Sequence, residues 1–216
     1  MRKFIFTVIV FFNITLVLQA QEAIKVACVG NSITFGSGIE NRDKDSYPAV
    51  LGQMLGSGYD VRNFGFSART LLMKGDLPYM KEQMFRDALN FAPDIVIIKL
   101  GTNDSKPQNW QHGNEYKHDM ETMVTTFKSL ASKPRIYLCF PAKAYALQWG
   151  INDSIIVNEI IPDIIQVAEE CGTKVINLHT PTSNMPENFP DYIHPNEAGA
   201  KVIARQVYNA ITREDW

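Results

Sequence analysis

The chain has 216 residues, 45% of them apolar and 20% charged, with 21 Lys+Arg against 23 Asp+Glu and a net charge of −2. That is the composition of one ordinary globular domain, and it excludes collagen-like, disordered and disulfide-scaffold chains. No run of Lys or Arg interleaved with aromatics occurs, so nucleic acid is not an expected partner.

The first 20 residues read differently from the rest. Arg2-Lys3, the apolar stretch Phe4 to Leu18 and the ending Leu18-Gln19-Ala20 have the charged, hydrophobic and cleavage regions of a secretory signal. A spanning helix needs roughly 20 apolar residues; this stretch is shorter and is broken by Thr7, Asn13 and Thr15. The expectation is a signal peptide at 1–20, a mature domain at 21–216, and a periplasmic or extracellular protein. Losing two positive charges and no negative ones deepens the net charge to −4. No Cys sits directly after the cleavage point, so no stable membrane anchor is expected.

Five short apolar runs then alternate with longer amphipathic stretches. Ile24 to Val29, Tyr59 to Asn63, Asp94 to Ile98, Arg135 to Phe140 and Lys174 to Leu178 read as strands. Three of them are apolar at consecutive positions, which suits a parallel sheet covered on both faces. Between and after them, apolar residues recur at the 3.6 period over Tyr47 to Leu55, Met80 to Leu89 and Tyr116 to Leu130. Ile155 to Cys171 is helical too, with Pro162 either kinking it or opening a later start and Gly172 closing it. The last helix is predicted from His194 onward, with Pro195 at its first position. Five β-α repeats imply a doubly wound, three-layer α/β/α domain with its reactive groups at the carboxyl ends of the strands.

Three Cys cannot all pair, and Cys28 and Cys139 lie inside strand-like runs, where they read as small buried hydrophobes. No Cys-x-x-Cys or His-Glu-x-x-His spacing is present, and His112 and His118 share no helix face. No metal site is therefore expected.

After the first strand comes Gly30-Asn31-Ser32-Ile33-Thr34-Phe35-Gly36. Five residues rather than four separate its glycines and no Lys follows, so this is not a phosphate loop. Asn63-Phe64-Gly65-Phe66-Ser67 follows the second strand, and Leu100-Gly101-Thr102-Asn103-Asp104 the third. Asp191-Tyr192-Ile193-His194-Pro195-Asn196 comes shortly after the fifth. Each block alone is ordinary turn chemistry. Together they supply what acyl transfer needs: a hydroxyl, an imidazole, a carboxylate three residues before it, and oxyanion donors.

In these four blocks, in order from Gly30 to Asn196, the sequence resembles the SGNH (GDSL-type) hydrolase family. The resemblance implies a flavodoxin-like sheet of five parallel strands in the order 2-1-3-4-5. Such a sheet would separate Cys28 from Cys139 by an intervening strand, beyond disulfide reach. It implies Ser32 as nucleophile, His194 as general base and Asp191 as the orienting carboxylate. The implied oxyanion hole consists of the Ser32 N–H, the Gly65 N–H and the Asn103 amide, with no cofactor. Where the commonest family pattern has Gly-Asp-Ser, this chain has Gly30-Asn31-Ser32.

Among rival readings, an α/β-hydrolase needs a Gly-x-Ser-x-Gly elbow, and Gly65-Phe66-Ser67-Ala68-Arg69 lacks its second glycine. A glycosidase built on Asp104 and Asp191 would leave Ser32, Asn103 and His194 without roles. A glycan-binding module that kept the fold and lost the chemistry predicts a damaged constellation, and none of its members is missing.

Two loops should open onto the rim. One carries Lys106, Gln108, Asn109 and Trp110, the other Tyr145 and Trp149. Trp110, Tyr145 and Trp149 are candidates for stacking on sugar rings, with Lys106, Gln108 and Asn109 as donors to hydroxyls; packing of the loop explains Trp149 equally well. The blocks and loops are also similar to exported bacterial acetylesterases of the sialate O-acetylesterase-like kind. The resulting expectation is O-deacetylation of a carbohydrate, with a thioesterase or lysophospholipase as the alternative.

Overall fold

The computed structural model describes residues 22–213, so the signal peptide expected at 1–20 lies outside the described residues. Five parallel strands, β1 (Ile24–Gly30), β2 (Tyr59–Gly65), β3 (Ile95–Lys99), β4 (Arg135–Cys139) and β5 (Lys174–Ile176), form a sheet in the order β2-β1-β3-β4-β5. The order and the α/β/α class match the expectation. β3 lies between the strands that carry Cys28 and Cys139, and both thiols are free and buried. Burial pushes the Cys28 thiol up to about 12, opposed by a hydrogen bond with Tyr47.

The helices are α1 (Ser32–Phe35), α2 (Tyr47–Leu55), α3 (Gln83–Asn90), α4 (Tyr116–Lys128), α5 (Ile161–Cys171) and α6 (Glu197–Thr212), with shorter helical turns between them. Each inner strand is apolar on both sides because each side is covered. Val26, Cys28, Ile95, Ile97 and Cys139 pack against Leu51 of α2 and Ile203 and Val207 of α6. Ala27, Val29, Val96, Ile98 and Leu138 pack against Phe85 of α3, Met123 and Phe127 of α4 and Ile164 of α5. The same alternation thus feeds two cores.

Two boundaries differ from the sequence reading. Pro195 does not open the last helix; Asn196 is its N-cap, its side chain accepting from the Ala198 and Gly199 N–H groups, so Pro195 stands one residue outside. A cap that satisfies two helix-start donors prevails over proline's preference for the first turn. At Pro162 both alternatives hold in part. Residues Ile156–Ile160 form a π turn that runs into α5, with the Ile161 N–H reaching back to the Ile156 carbonyl. Proline has no N–H for the ordinary bond, and the wider turn accommodates its ring. Gly172 closes α5 at φ 59°.

Candidate active site

Gly30 ends β1 where a Cβ would stand 2.1 Å from Thr34 Oγ1 and 2.6 Å from the Lys99 carbonyl oxygen; only glycine lets the chain turn so tightly into α1. Asn31 caps that helix by accepting from the Ile33 N–H, and Ser32 is its first residue, 7% exposed. At the far end of the chain, the segment between β5 and α6 brings His194 Nε2 to 2.8 Å from Ser32 Oγ. His194 Nδ1 lies 2.7 Å from Asp191 Oδ2. The other oxygen, Asp191 Oδ1, accepts from the His194 and Ile193 backbone N–H groups at 2.7 and 3.0 Å. Burial alone would raise the Asp191 carboxyl, but these donors outweigh it and hold it below its ordinary value. Its charge is therefore kept beside the imidazole.

Ser32, Asn103 and His194 line a cavity of about 340 Å³ together with Ala68, Lys106, Trp149 and Ile151. Three larger surface hollows, of about 570, 560 and 480 Å³, lie around Trp110 and Glu159, around Lys143 and Asp153, and beside His118 of α4; none of them is lined by a serine hydroxyl bonded to a histidine ring. Size does not decide the site here. The hydrogen-bonded pair of Ser32 and His194 does.

Asn103 is aimed by a knot of hydrogen bonds. Gly101, at φ 104°, turns the chain, and the fully buried Asp104 accepts from the Gly101 and Leu72 N–H groups. Burial pushes the Asp104 carboxyl up to about 6 in spite of these donors. Asp104 lies beneath the loop and does not line the cavity, so the glycosidase pairing with Asp191 has no geometric basis. Asn109, fully buried, donates to the Asn103 carbonyl. The Asn103 amide spends one hydrogen on the Arg69 carbonyl at 3.1 Å and keeps a second for a ligand.

Four residues expected at the site, Gly65, Tyr145, Trp110 and Asn109, do not line this cavity. Gly65 is not at the cavity. Its N–H donates to Asn63 Oδ1 at 2.9 Å, and a Cβ there would stand 2.1 Å from the Phe35 backbone nitrogen. Gly65 is glycine so that β2 can pass against α1. The residue that the sequence reading missed is Ala68, which lines the cavity at φ 67° and donates its N–H to no acceptor among the described residues. A non-glycine residue in this left-handed region is uncommon, and residue type alone gave no sign of it.

Tyr145 is not on the rim. Its hydroxyl bonds to the Thr182 carbonyl and accepts from the Met185 N–H, and its ring packs 5.3 Å from that of Phe189. Trp110 is elsewhere too, with Nε1 donating to Glu159 Oε2 and its ring against Tyr116. Asn109 is likewise consumed internally, whereas Lys106 does line the cavity. Trp149 is the expected aromatic that reaches the site: 54% exposed, at φ 53°, with its ring centroid 5.5 Å from that of His194. Ser67, the rival nucleophile, meets Ser37 Oγ at 2.9 Å.

His179 pairs with Asp153 Oδ1 at 3.1 Å, and Asp153 also accepts from Lys143 Nζ and the Ala144 N–H. This cluster ties the loop after β4 to the end of β5. Among the described residues, no three His, Cys, Asp or Glu side chains converge as metal ligands, and no helix is long and apolar enough to cross a membrane.

Comparison with known proteins shows what the chain is similar to. An acetylxylan esterase of Xylanibacter ruminicola is 47% identical over 209 residues, covering 88% of this chain. This chain spans 44% of that protein's length. Among solved structures, the inhibitor-bound aryl esterase of M. smegmatis superposes with a TM-score of 0.75 at 20% identity, covering 88% of this chain and 99% of that one. Est24, a carbohydrate acetylesterase from Sinorhizobium meliloti, does so with a TM-score of 0.72 at 17% identity and the same two coverages. Both share the fold. The model of the GDSL-like lipase/acylhydrolase family matches residues 28–202, and with that match over most of its length the chain belongs to this family.

Proposed function

We propose that the protein is a serine carboxylic ester hydrolase that removes O-acetyl groups from a carbohydrate. The observation that carries this reading is the continuous relay from Asp191 through His194 to Ser32, at 2.7 and 2.8 Å, opening into a small cavity. Ser32 Oγ attacks the acetyl carbonyl while His194 Nε2 takes its proton, and Asp191 stabilises the imidazolium that forms. The Ser32 and Ala68 N–H groups and the free hydrogen of the Asn103 amide receive the oxyanion. Collapse expels the sugar alkoxide, which leaves with the proton from His194. Water, deprotonated by His194, then cleaves the acetyl-enzyme; acetate leaves and the proton returns to Ser32. These steps call for no metal or organic cofactor.

About 340 Å³ shared with the exposed Trp149 ring suits an acetyl group beside a sugar face better than a long acyl chain. The acetylxylan esterase relative supports the same substrate class. The signal-like residues 2–20 support export, with residues 21–216 acting as one hydrolase unit.

The test is turnover of p-nitrophenyl esters from C2 to C12 and of acetylated xylan, pectin and sialic acid, with Ser32→Ala alongside. Acetyl esters should be the best substrates and Ser32→Ala inactive. Turnover that persists in Ser32→Ala overturns the nucleophile; rates that rise toward C8 overturn the acetyl specificity and favour a thioesterase or lysophospholipase. Trp149→Ala should raise KM for acetylated oligosaccharide about tenfold while leaving p-nitrophenyl acetate within twofold. Equal loss on both substrates would remove the sugar-stacking role.

A further inference from the structure

Lys99 ends β3 and is 0% exposed. It shares the parity of Ile95 and Ile97, which places it on the α2/α6 side of the sheet. Its ammonium donates to two neutral acceptors, Asn31 Oδ1 at 3.2 Å and Thr102 Oγ1 at 3.0 Å. The titratable group that acts on it from the next strand is the thiol of Cys139, with Cys28 of β1 and Tyr47 of α2 close to that thiol in turn. None of these is a carboxylate. Burial without a counter-ion lowers the Lys99 ammonium to about 7, and a buried unpaired charge is a cost that a hydrophobic residue of similar length would avoid.

Both acceptors adjoin reacting groups. Asn31 immediately precedes Ser32 and caps its helix, and Thr102 immediately precedes Asn103. Asn31 Oδ1 accepts from the Ile33 N–H as well as from Lys99, while Asn31 Nδ2 is buried without a partner. The orientation of that amide therefore depends on the two donors that meet its oxygen. Resting on the ester hydrolase reading, we propose that Lys99 is a positioning residue. Its one ammonium ties the turn that carries Ser32 to the loop that carries Asn103, and so sets the spacing between nucleophile and side-chain oxyanion donor. The Asn in place of Asp at position 31 belongs to this device, because it accepts from the lysine without closing a buried ion pair.

Lys99→Met tests it, with kcat, KM and thermal unfolding measured on the full chain with p-nitrophenyl acetate. kcat should fall about 100-fold, the scale of a displaced catalytic group, with KM within twofold and Tm unchanged or raised. A kcat within threefold of the parent, or a kcat loss accompanied by a matching fall in Tm, overturns the proposal. Asn31→Asp supplies the second readout. Its cost in kcat with Lys99 present is the reference, since the lysine still meets an acceptor oxygen there. In the Lys99→Met background it should cost at least tenfold more, because its carboxylate is then buried and unpaired. Additive effects would overturn the coupling. Ser32→Ala separates the two readings: if it is inactive while Lys99→Met is normal, only the positioning role fails.

Discussion

Replacing Asp191 by Asn removes a charge and almost no volume, and the hydrogen bonds around it determine what the new amide must do. Oδ1 accepts two backbone N–H groups, at 2.7 and 3.0 Å, while Oδ2 faces His194 Nδ1 at 2.7 Å. An asparagine has one oxygen for these two places. Directed at the backbone, it satisfies two donors; directed at the imidazole, it sets its NH2 against both N–H groups. The first orientation is favoured, so the NH2 meets Nδ1, and the ring must carry its proton on Nε2 to accept there. That nitrogen then donates to Ser32 Oγ and cannot take its proton. A wrong tautomer of this kind costs about 10⁴ in kcat, or about 5.5 kcal/mol at 1.36 kcal/mol per tenfold. Asp191→Ala removes the carboxylate without imposing a tautomer, and should lose no more than Asp191→Asn. The assay is kcat and KM on p-nitrophenyl acetate with thermal unfolding alongside. An Asp191→Asn protein that is folded and retains more than a tenth of the parent kcat refutes the reasoning.

Two further substitutions separate the roles of Gly65 and Ala68. Gly65→Ala should destabilise by about 3 kcal/mol or more, because its Cβ would meet backbone atoms of Phe35 and Thr34 at 2.1 and 2.6 Å. Ala68→Gly should stabilise by about 1 kcal/mol by relieving the left-handed backbone, and should keep kcat within threefold because the N–H remains. Chemical unfolding and kinetics check both, and a stable Gly65→Ala protein that loses only activity would return the oxyanion role to Gly65. Stability should also fall at acid pH through Asp153. Burial would raise its carboxyl, but hydrogen bonds from His179, Lys143 and the Ala144 N–H hold it down at about 2 against an ordinary 3.8. A depressed carboxylate stabilises the fold above the unfolded value and loses that contribution as pH falls from about 4 through about 2, here about 1–2 kcal/mol. The gap in unfolding free energy between the parent and Asp153→Asn should therefore narrow over that range. A gap that stays constant would show that the cluster does not hold the charge.

Much of the fold was legible because each strand carries its own evidence. Ile95 to Ile98 is apolar at every position, as a strand buried on both faces must be, and Ile203 and Val207 repeat at the helical period. The blocks around Ser32, Asn103 and His194 were legible because turn and catalytic residues cluster at strand ends. What failed to read was whatever depends on a partner distant in the chain. Trp110, Tyr145 and Trp149 are the same kind of residue in the same kind of loop; only Glu159, Thr182 and Met185 reveal that the first two are already engaged. Lys99 directly follows the apolar run Ile95 to Ile98, and its meaning comes from Asn31, 68 residues away.

The amino-acid sequence by itself determined the alternation of strands and helices, the burial of the sheet on both faces and the residue types available at the strand ends, since these follow from local periodicity and turn chemistry. The tertiary structure decided which of those residues meet. It set Ser32 against His194 across 162 positions, put Ala68 rather than Gly65 at the cavity wall, and placed a buried ammonium between the turn of Asn31 and the loop of Thr102. Hydrogen-bond competition and close packing act between neighbours in space, and sequence order does not record who those neighbours are.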